Sequence, residues 1–295
     1  MLQVLVNSVI YASEIAIMAV GVSLTFSILR FANFAHVQFA VVGGYLTYVF
    51  SVLLGLPIVL AAIVGAVLTG GFAVLVDRAV FRRLRAISPE GKMIVSWGVA
   101  LFIRSIVAAI FGGAALVFPI EPPPLSLGGA FFTSLDVVCV VATVVAMLAL
   151  HVLLYRTRVG TALRALASNP DLAVSRGIPG ERMIALMWFI SGAYAALGGA
   201  LFALETRLQP NMDLIILLPI FAAVTIGGLT NVFGVVAGAL VLSLAQNLLI
   251  SVDFGSLLSS ESWYVPTQFR DFIAVGALVV LLLLRPRSVA GRLAR

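Results

Sequence analysis

Long apolar runs fill this chain, and short polar stretches separate them. About 20 consecutive apolar residues cross a bilayer as a helix, and nine segments read this way, at about 4–28, 34–54, 57–77, 93–111, 135–154, 183–204, 214–230, 232–250 and 270–285. The runs lack the strict alternation of a transmembrane barrel. An all-α integral membrane protein with about nine transmembrane helices is expected, a single transmembrane domain over residues 1–295. The longest polar stretches, around 112–134, 155–182 and 251–269, read as loops or short surface helices. The first contains Glu121-Pro122-Pro123-Pro124, an extended element that cannot continue a helix.

Composition strengthens this reading. Hydrophobic residues make up 62% and charged residues 10%, with a mean hydropathy of +1.18, against about 45–50% and 25% in soluble domains. A net charge of +6 could indicate nucleic-acid binding, but the placement of the charges excludes it. Of the 18 Lys and Arg, all but Arg104, Arg207 and Arg270 fall on one face of the expected topology. They are Arg30, the cluster Arg78 to Lys92, the cluster Arg156 to Arg182, and the run Arg285, Arg287, Arg292 and Arg295. The positive-inside rule makes that face cytoplasmic, with the N-terminus outside and the C-terminus in the cytoplasm. Glu121, Asp136, Glu205, Asp213, Asp253, Glu261 and Asp271 fall mainly on the opposite face. No Lys or Arg precedes Arg30, so the first apolar run is expected to be a retained span rather than a cleaved signal peptide. Cys139 is the single cysteine, so no intrachain disulfide is expected.

No phosphate-binding P-loop, metal-spaced His/Cys cluster or Gly-x-Ser-x-Gly elbow occurs. No catalytic residue, metal or cofactor is therefore expected in this chain, nor an ATPase site of the P-loop type. Many of the 26 glycines lie inside spans, where small residues let helices approach. Two polar interruptions stand out: Arg30-Phe31-Ala32-Asn33-Phe34-Ala35-His36 before Gly43-Gly44, and Gly227-Gly228-Leu229-Thr230-Asn231-Val232-Phe233-Gly234 before Gly238. Matched interruptions mark the two halves of many transporters, although any tight turn between spans also uses Gly and Asn.

Charges inside spans are expensive and carry a role or a partner. At 1.5 Å per residue, Glu14 and Arg104 both fall near mid-membrane, and an ion pair between them is expected, either structural or part of a substrate path. His36 either gates the inner mouth of that path or satisfies a buried carbonyl. Asn33 is expected to cap the helix that follows, and Gln246 and Asn247 to bond between helices. His151 lies near a membrane boundary and receives no role.

Residues 155–182 parse as two short cytoplasmic helices. The first spans about 160–167; the second starts at Pro170, with Asn169 as N-cap, Asp171 at the positive end of its dipole and Gly177 as the stop. Such a pair suits docking of a soluble partner, or is ordinary amphipathic surface.

The pattern Gly-x-x-x-Arg-Ala-x-Ala-x-Asn-Pro-x-x-Ala-x-x-x-Gly-Ile at 160–178 resembles the coupling loop of the branched-chain amino-acid ABC permeases of the LivH/LivM type. Asn33-Phe34-Ala35-His36 and the Gly227-Gly228-Leu229 turn with Gly234 and Gly238 resemble two further segments of that family, nearer the LivH branch. The resemblance implies an ABC importer permease fold with an internal inverted repeat, in a bacterial inner membrane. It also implies a second similar permease, two cytoplasmic ATPases that consume the ATP, and a periplasmic substrate-binding protein. Arg164, Asn169, Pro170 and Gly177 would couple to the ATPases; Asn33, His36, Gln38, Glu14 and Arg104 are the candidate substrate path. The family commonly continues Asn-Phe-Ala-His with Gly and Glu, whereas Val37 and Gln38 stand here. That departure leaves the solute open between a branched-chain amino acid and a related amino acid, amide or carboxylate. An autonomous secondary transporter or channel is the rival reading, with Glu14 as the carboxylate that would load a coupling ion.

Overall fold

The computed structural model of the chain describes residues 1–253, 264–266 and 269–284. The helices are α1 (Leu2–Leu29), α2 (His36–Tyr48, extended by a π-turn over Val49–Leu53), α3 (Ile58–Ala79), α4 (Pro89–Phe111), α5 (Ser134–Arg156), α6 (Arg158–Ser168), α7 (Pro170–Ser175), α8 (Gly180–Glu205), α9 (Met212–Gly227), α10 (Gly234–Ser251) and α11 (Arg270–Leu284). Seven of them, α1, α2 with its extension, α3, α4, α5, α8 and α10, are long and apolar enough to cross a membrane. α9 and α11, with 16 and 15 residues, are apolar but shorter. The basic run Arg285 to Arg295, Glu261 and most of the 251–269 stretch lie outside the described residues.

α1 is the spine of the bundle: Ile15 to Val20 are almost inaccessible, enclosed chiefly by α8 and α10. α2 and α3 pack on the other side of α8. Without a hydrophobic drive between helices in lipid, close packing supplies the attraction, and small residues permit it. A Cβ on Gly199 of α8 would collide with the backbone carbonyl of Ala40 in α2, and one on Gly43 with the backbone of Ala196. α4 and α5 sit at the periphery. Ile94, Phe102 and Ile110 of α4 and Val141, Val145 and Leu148 of α5 are exposed, a far larger apolar face than a soluble monomer presents and one suited to hydrocarbon.

The loops sort to two ends. At the basic end, Arg30 donates to the carbonyl of Ala167 (2.8 Å), and Glu181 pairs with Arg82 (3.0 Å) and with Arg85. At the far end, Leu116 and Leu208 exchange backbone bonds of 2.9 Å.

One element departs from the all-α expectation. Strands β1 (Pro124–Leu127) and β2 (Ala130–Thr133) form an antiparallel hairpin at the far end. Gly128 and Gly129 turn it with φ of 58° and 84°, the two left-handed residues that a tight hairpin turn demands. Gln3 clamps its free edge, donating to the Phe131 carbonyl (2.9 Å) and accepting from its N–H (2.7 Å).

Candidate functional site

The first interruption is buried. α1 stops at Arg30, a non-glycine residue in the left-handed region (φ 56°) whose N–H closes the last turn on Phe26 (3.0 Å). The chain then runs without helix to Ala35, with Asn33, His36 and Gln38 all fully enclosed. Irregular backbone at membrane depth is tolerated only inside protein or against a water-filled cavity. Asn33 does not cap α2, whose N-cap is Ala35. Its Oδ1 instead accepts the Ala35 N–H (3.1 Å), closing a local turn one step before the helix.

His36 ties three helices. Nε2 lies 3.0 Å from the Met18 carbonyl in α1, and Nδ1 lies 3.1 Å from Ser191 Oγ in α8. A carbonyl only accepts, so Nε2 carries a proton and donates it to Met18, while Ser191 Oγ beside Nδ1 donates its own proton to the Gly21 carbonyl (3.0 Å). Enclosed in this way, His36 matches the carbonyl-satisfying alternative. Gln38 differs: neither side-chain atom has a partner, and Asn33 Nδ2 has none either. One heptad on, Tyr45 Oη is also unpartnered, while its ring packs 4.5 Å from that of Phe111 in α4. Spacing of seven puts Gln38 and Tyr45 on one face of α2, so unspent hydrogen-bonding capacity is concentrated there.

The expected Glu14–Arg104 pair does not form. Arg104 pairs with Asp213 at the start of α9. The reason is lateral: α4 leans on α2, whereas Glu14 on α1 faces the end of α8. Glu14 lines a cavity of about 450 Å³ near the far end, with Asp136, Glu205, Asn247 and Arg270. Glu205, at the end of α8, lines the same cavity. Among the described residues, no group of three His, Cys, Asp or Glu could hold a metal ion.

At the basic end, the 155–182 stretch forms the two short helices α6 and α7. Thr157 Oγ1 caps α6 at Gly160 N (3.0 Å), and Asn169 Oδ1 caps α7 at Leu172 N (3.0 Å) behind Pro170 at its first turn. Gly177, at φ 85°, ends α7 with a 2.9 Å bond to the Val174 carbonyl. Leu163, Leu166 and Ala173 bury the inner face. Arg164 is exposed, its guanidinium 4.7 Å from the centroid of the Tyr155 ring. A feature not anticipated from sequence lies beside this module: Arg85 bridges buried Asp77 of α3 (3.2 Å) to Glu181 in the first turn of α8.

A protein-family model described as the branched-chain amino acid transport system permease component matches residues 4–283. The chain belongs to this family. Its LivH-type relatives include the probable branched-chain amino acid transport permease protein LivH of Methanocaldococcus jannaschii, 27% identical over 98% of this chain and 92% of that one. The high-affinity branched-chain amino acid transport system permease protein BraD of Pseudomonas aeruginosa is 26% identical over 99% and 96%. A solved structure, PsaBC from Streptococcus pneumoniae in complex with Fab, overlays with TM-score 0.47 at 13% identity, covering 94% of this chain and 90% of that one. By its family the chain is an ABC importer permease of the branched-chain amino acid type, and a multi-pass membrane protein. Within this LivH-type permease the five candidate path residues do not converge. Asn33 lies in the buried interruption and Gln38 in the first turn of α2, His36 points to α1 and α8, Arg104 meets α9, and Glu14 faces its own cavity.

Proposed function

We propose that the chain moves a branched-chain amino acid, or a related amino acid, amide or carboxylate, across the bacterial inner membrane. It works with a second permease of its kind, two cytoplasmic ABC ATPases and a periplasmic binding protein. No cofactor resides in it; ATP is hydrolysed on the partner subunits. In this reading all nine apolar helices cross the membrane in two inverted halves, the far end with the N-terminus lies outside, and the basic end and C-terminus face the cytoplasm. The observation that carries the reading is the α6–α7 module: two short capped helices at a fixed angle, buried on one side and exposed at Arg164 on the other. A motor that pushes needs such a rigid grip. Asn33 and Gln38 are the path residues this reading favours, because their buried polar atoms lack a partner within the chain.

The test is uptake of labelled leucine, isoleucine and valine into proteoliposomes, with the full set of partners and with this chain alone. Uptake that needs ATP and the partners supports the importer. Uptake by the chain alone supports the autonomous carrier or channel instead.

A further inference from the structure

The cavity around Glu14 sets two carboxyls and a guanidinium against one space, and no ion pair among the described residues joins them. Glu14 is 2% exposed, yet its Oε1 meets no donor, and neither does Oε1 of Glu205. Asp136 is already occupied, its Oδ2 accepting from Thr133 N (2.5 Å) and Oγ1 (2.9 Å). Across the cavity, Arg270 is held by the Tyr11 ring (3.8 Å) and by Asn247 Oδ1 (3.4 Å), with its Nε unpartnered. None of the ion pairs among the described residues engages it.

We propose that this cavity is a binding subsite for a zwitterionic α-amino acid with an aliphatic side chain, its ammonium held by Glu14 and Glu205 and its carboxylate by Arg270. An α-amino acid carries both charges on adjacent carbons, so one small ligand satisfies both sides at once. A lone cation would leave Arg270 unanswered, and a lone anion would meet the two carboxyls. Phe131, Phe202 and Ile215 supply apolar wall for the side chain. The volume of about 450 Å³ falls in the range of small-molecule sites. The proposal rests on the amino-acid importer reading above and adds a site within this chain, separate from the Asn33–Gln38 segment.

The experiment is calorimetric titration of the full chain in lipid nanodiscs, without a binding protein. The probes are L-leucine, 3-methylbutylamine, which lacks the carboxylate, and 4-methylpentanoate, which lacks the ammonium. Leucine should bind, and each single-charge analogue should bind at least about tenfold more weakly, the scale of losing one charge-assisted contact. Arg270→Gln and Glu14→Gln should each weaken leucine binding by a similar factor. Because Glu14 is deeply buried, Glu205→Gln at the half-buried helix end serves as the variant that keeps the fold. Absence of leucine binding to the folded chain, equal binding of the amine, or unchanged binding by Glu205→Gln and Arg270→Gln overturns the subsite. Leucine uptake by the complete transporter is read separately: uptake without binding to this chain sinks the subsite alone, whereas no amino-acid uptake sinks the importer reading.

Discussion

Arg104 of α4 reaches Asp213 in the first turn of α9, and the pair joins two helices that each lean on α2. The Asp213 side chain is 6% exposed and that of Arg104 21%, so the carboxylate depends on the guanidinium more than the reverse.

Removing one partner strands a buried charge. Arg104→Gln should destabilise the chain by about 3 kcal/mol, the low end for breaking a buried pair because Arg104 is partly exposed. Arg104→Gln with Asp213→Asn should recover most of the loss, and Arg104→Gln with Glu14→Gln should recover none. Thermal unfolding in detergent, compared across the three variants, checks this.

The two arginines on Glu181 should differ sharply. Arg82 and Glu181 are more than half exposed, at 57% and 54%, so Arg82→Gln should change stability by less than about 1 kcal/mol. Arg85 also serves Asp77, whose side chain is 3% exposed. Arg85→Gln should therefore cost about 3 kcal/mol, and adding Asp77→Asn should offset much of it. The same unfolding assay at low and high salt separates them, since only the exposed pair is strongly screened.

Neighbouring glycines should also diverge. Gly199 touches the Ala40 backbone, whereas a Cβ on Gly71 meets open space. Gly199→Val should cost more than about 3 kcal/mol by forcing α8 from α2, and Gly71→Val should be close to neutral. The monodisperse fraction after detergent extraction reports the difference.

Damage to the α6–α7 module should spare insertion and impair work. Gly177→Val strains a position at φ 85° by about 1–2 kcal/mol, and Arg164→Glu reverses an exposed charge. Both variants should reach the membrane at normal level, while substrate-stimulated ATP hydrolysis and uptake fall together. Normal uptake in either would mean that the motor docks elsewhere.

The helices were legible because apolar length is a local signal, and so were α6 and α7, where Asn169-Pro170 and Gly177 write their own boundaries. The hairpin is also written locally: Gly128-Gly129 between Leu125-Ser126-Leu127 and Ala130-Phe131-Phe132-Thr133 carries both the turn and the flanking strands. Partners across the bundle were not legible. Depth along the helix brought Glu14 and Arg104 to one level, but which helices are lateral neighbours depends on packing, and packing sent Arg104 to Asp213. The surroundings of Glu14 come from α1, α5, α8, α10 and α11, far apart in the chain. Glycine count was equally silent about role: a Cβ on Gly70 would come within 2.8 Å of the Phe189 carbonyl oxygen, while one on adjacent Gly71 would meet open space.

The bond from Arg30 to the Ala167 carbonyl joins the end of the spine to the end of α6. α1 has 28 residues, which at 1.5 Å each makes a rod about 42 Å long. Buried along most of its length, such a rod tilts as a unit instead of bending. A one-degree rotation of α1 about its Arg30 end would shift the opposite tip by about 0.7 Å and Glu14 by about 0.4 Å, from the same 1.5 Å rise. The longest helix is thus also the longest lever: a tilt that leaves the Arg30 end in place moves its far tip by most of an ångström.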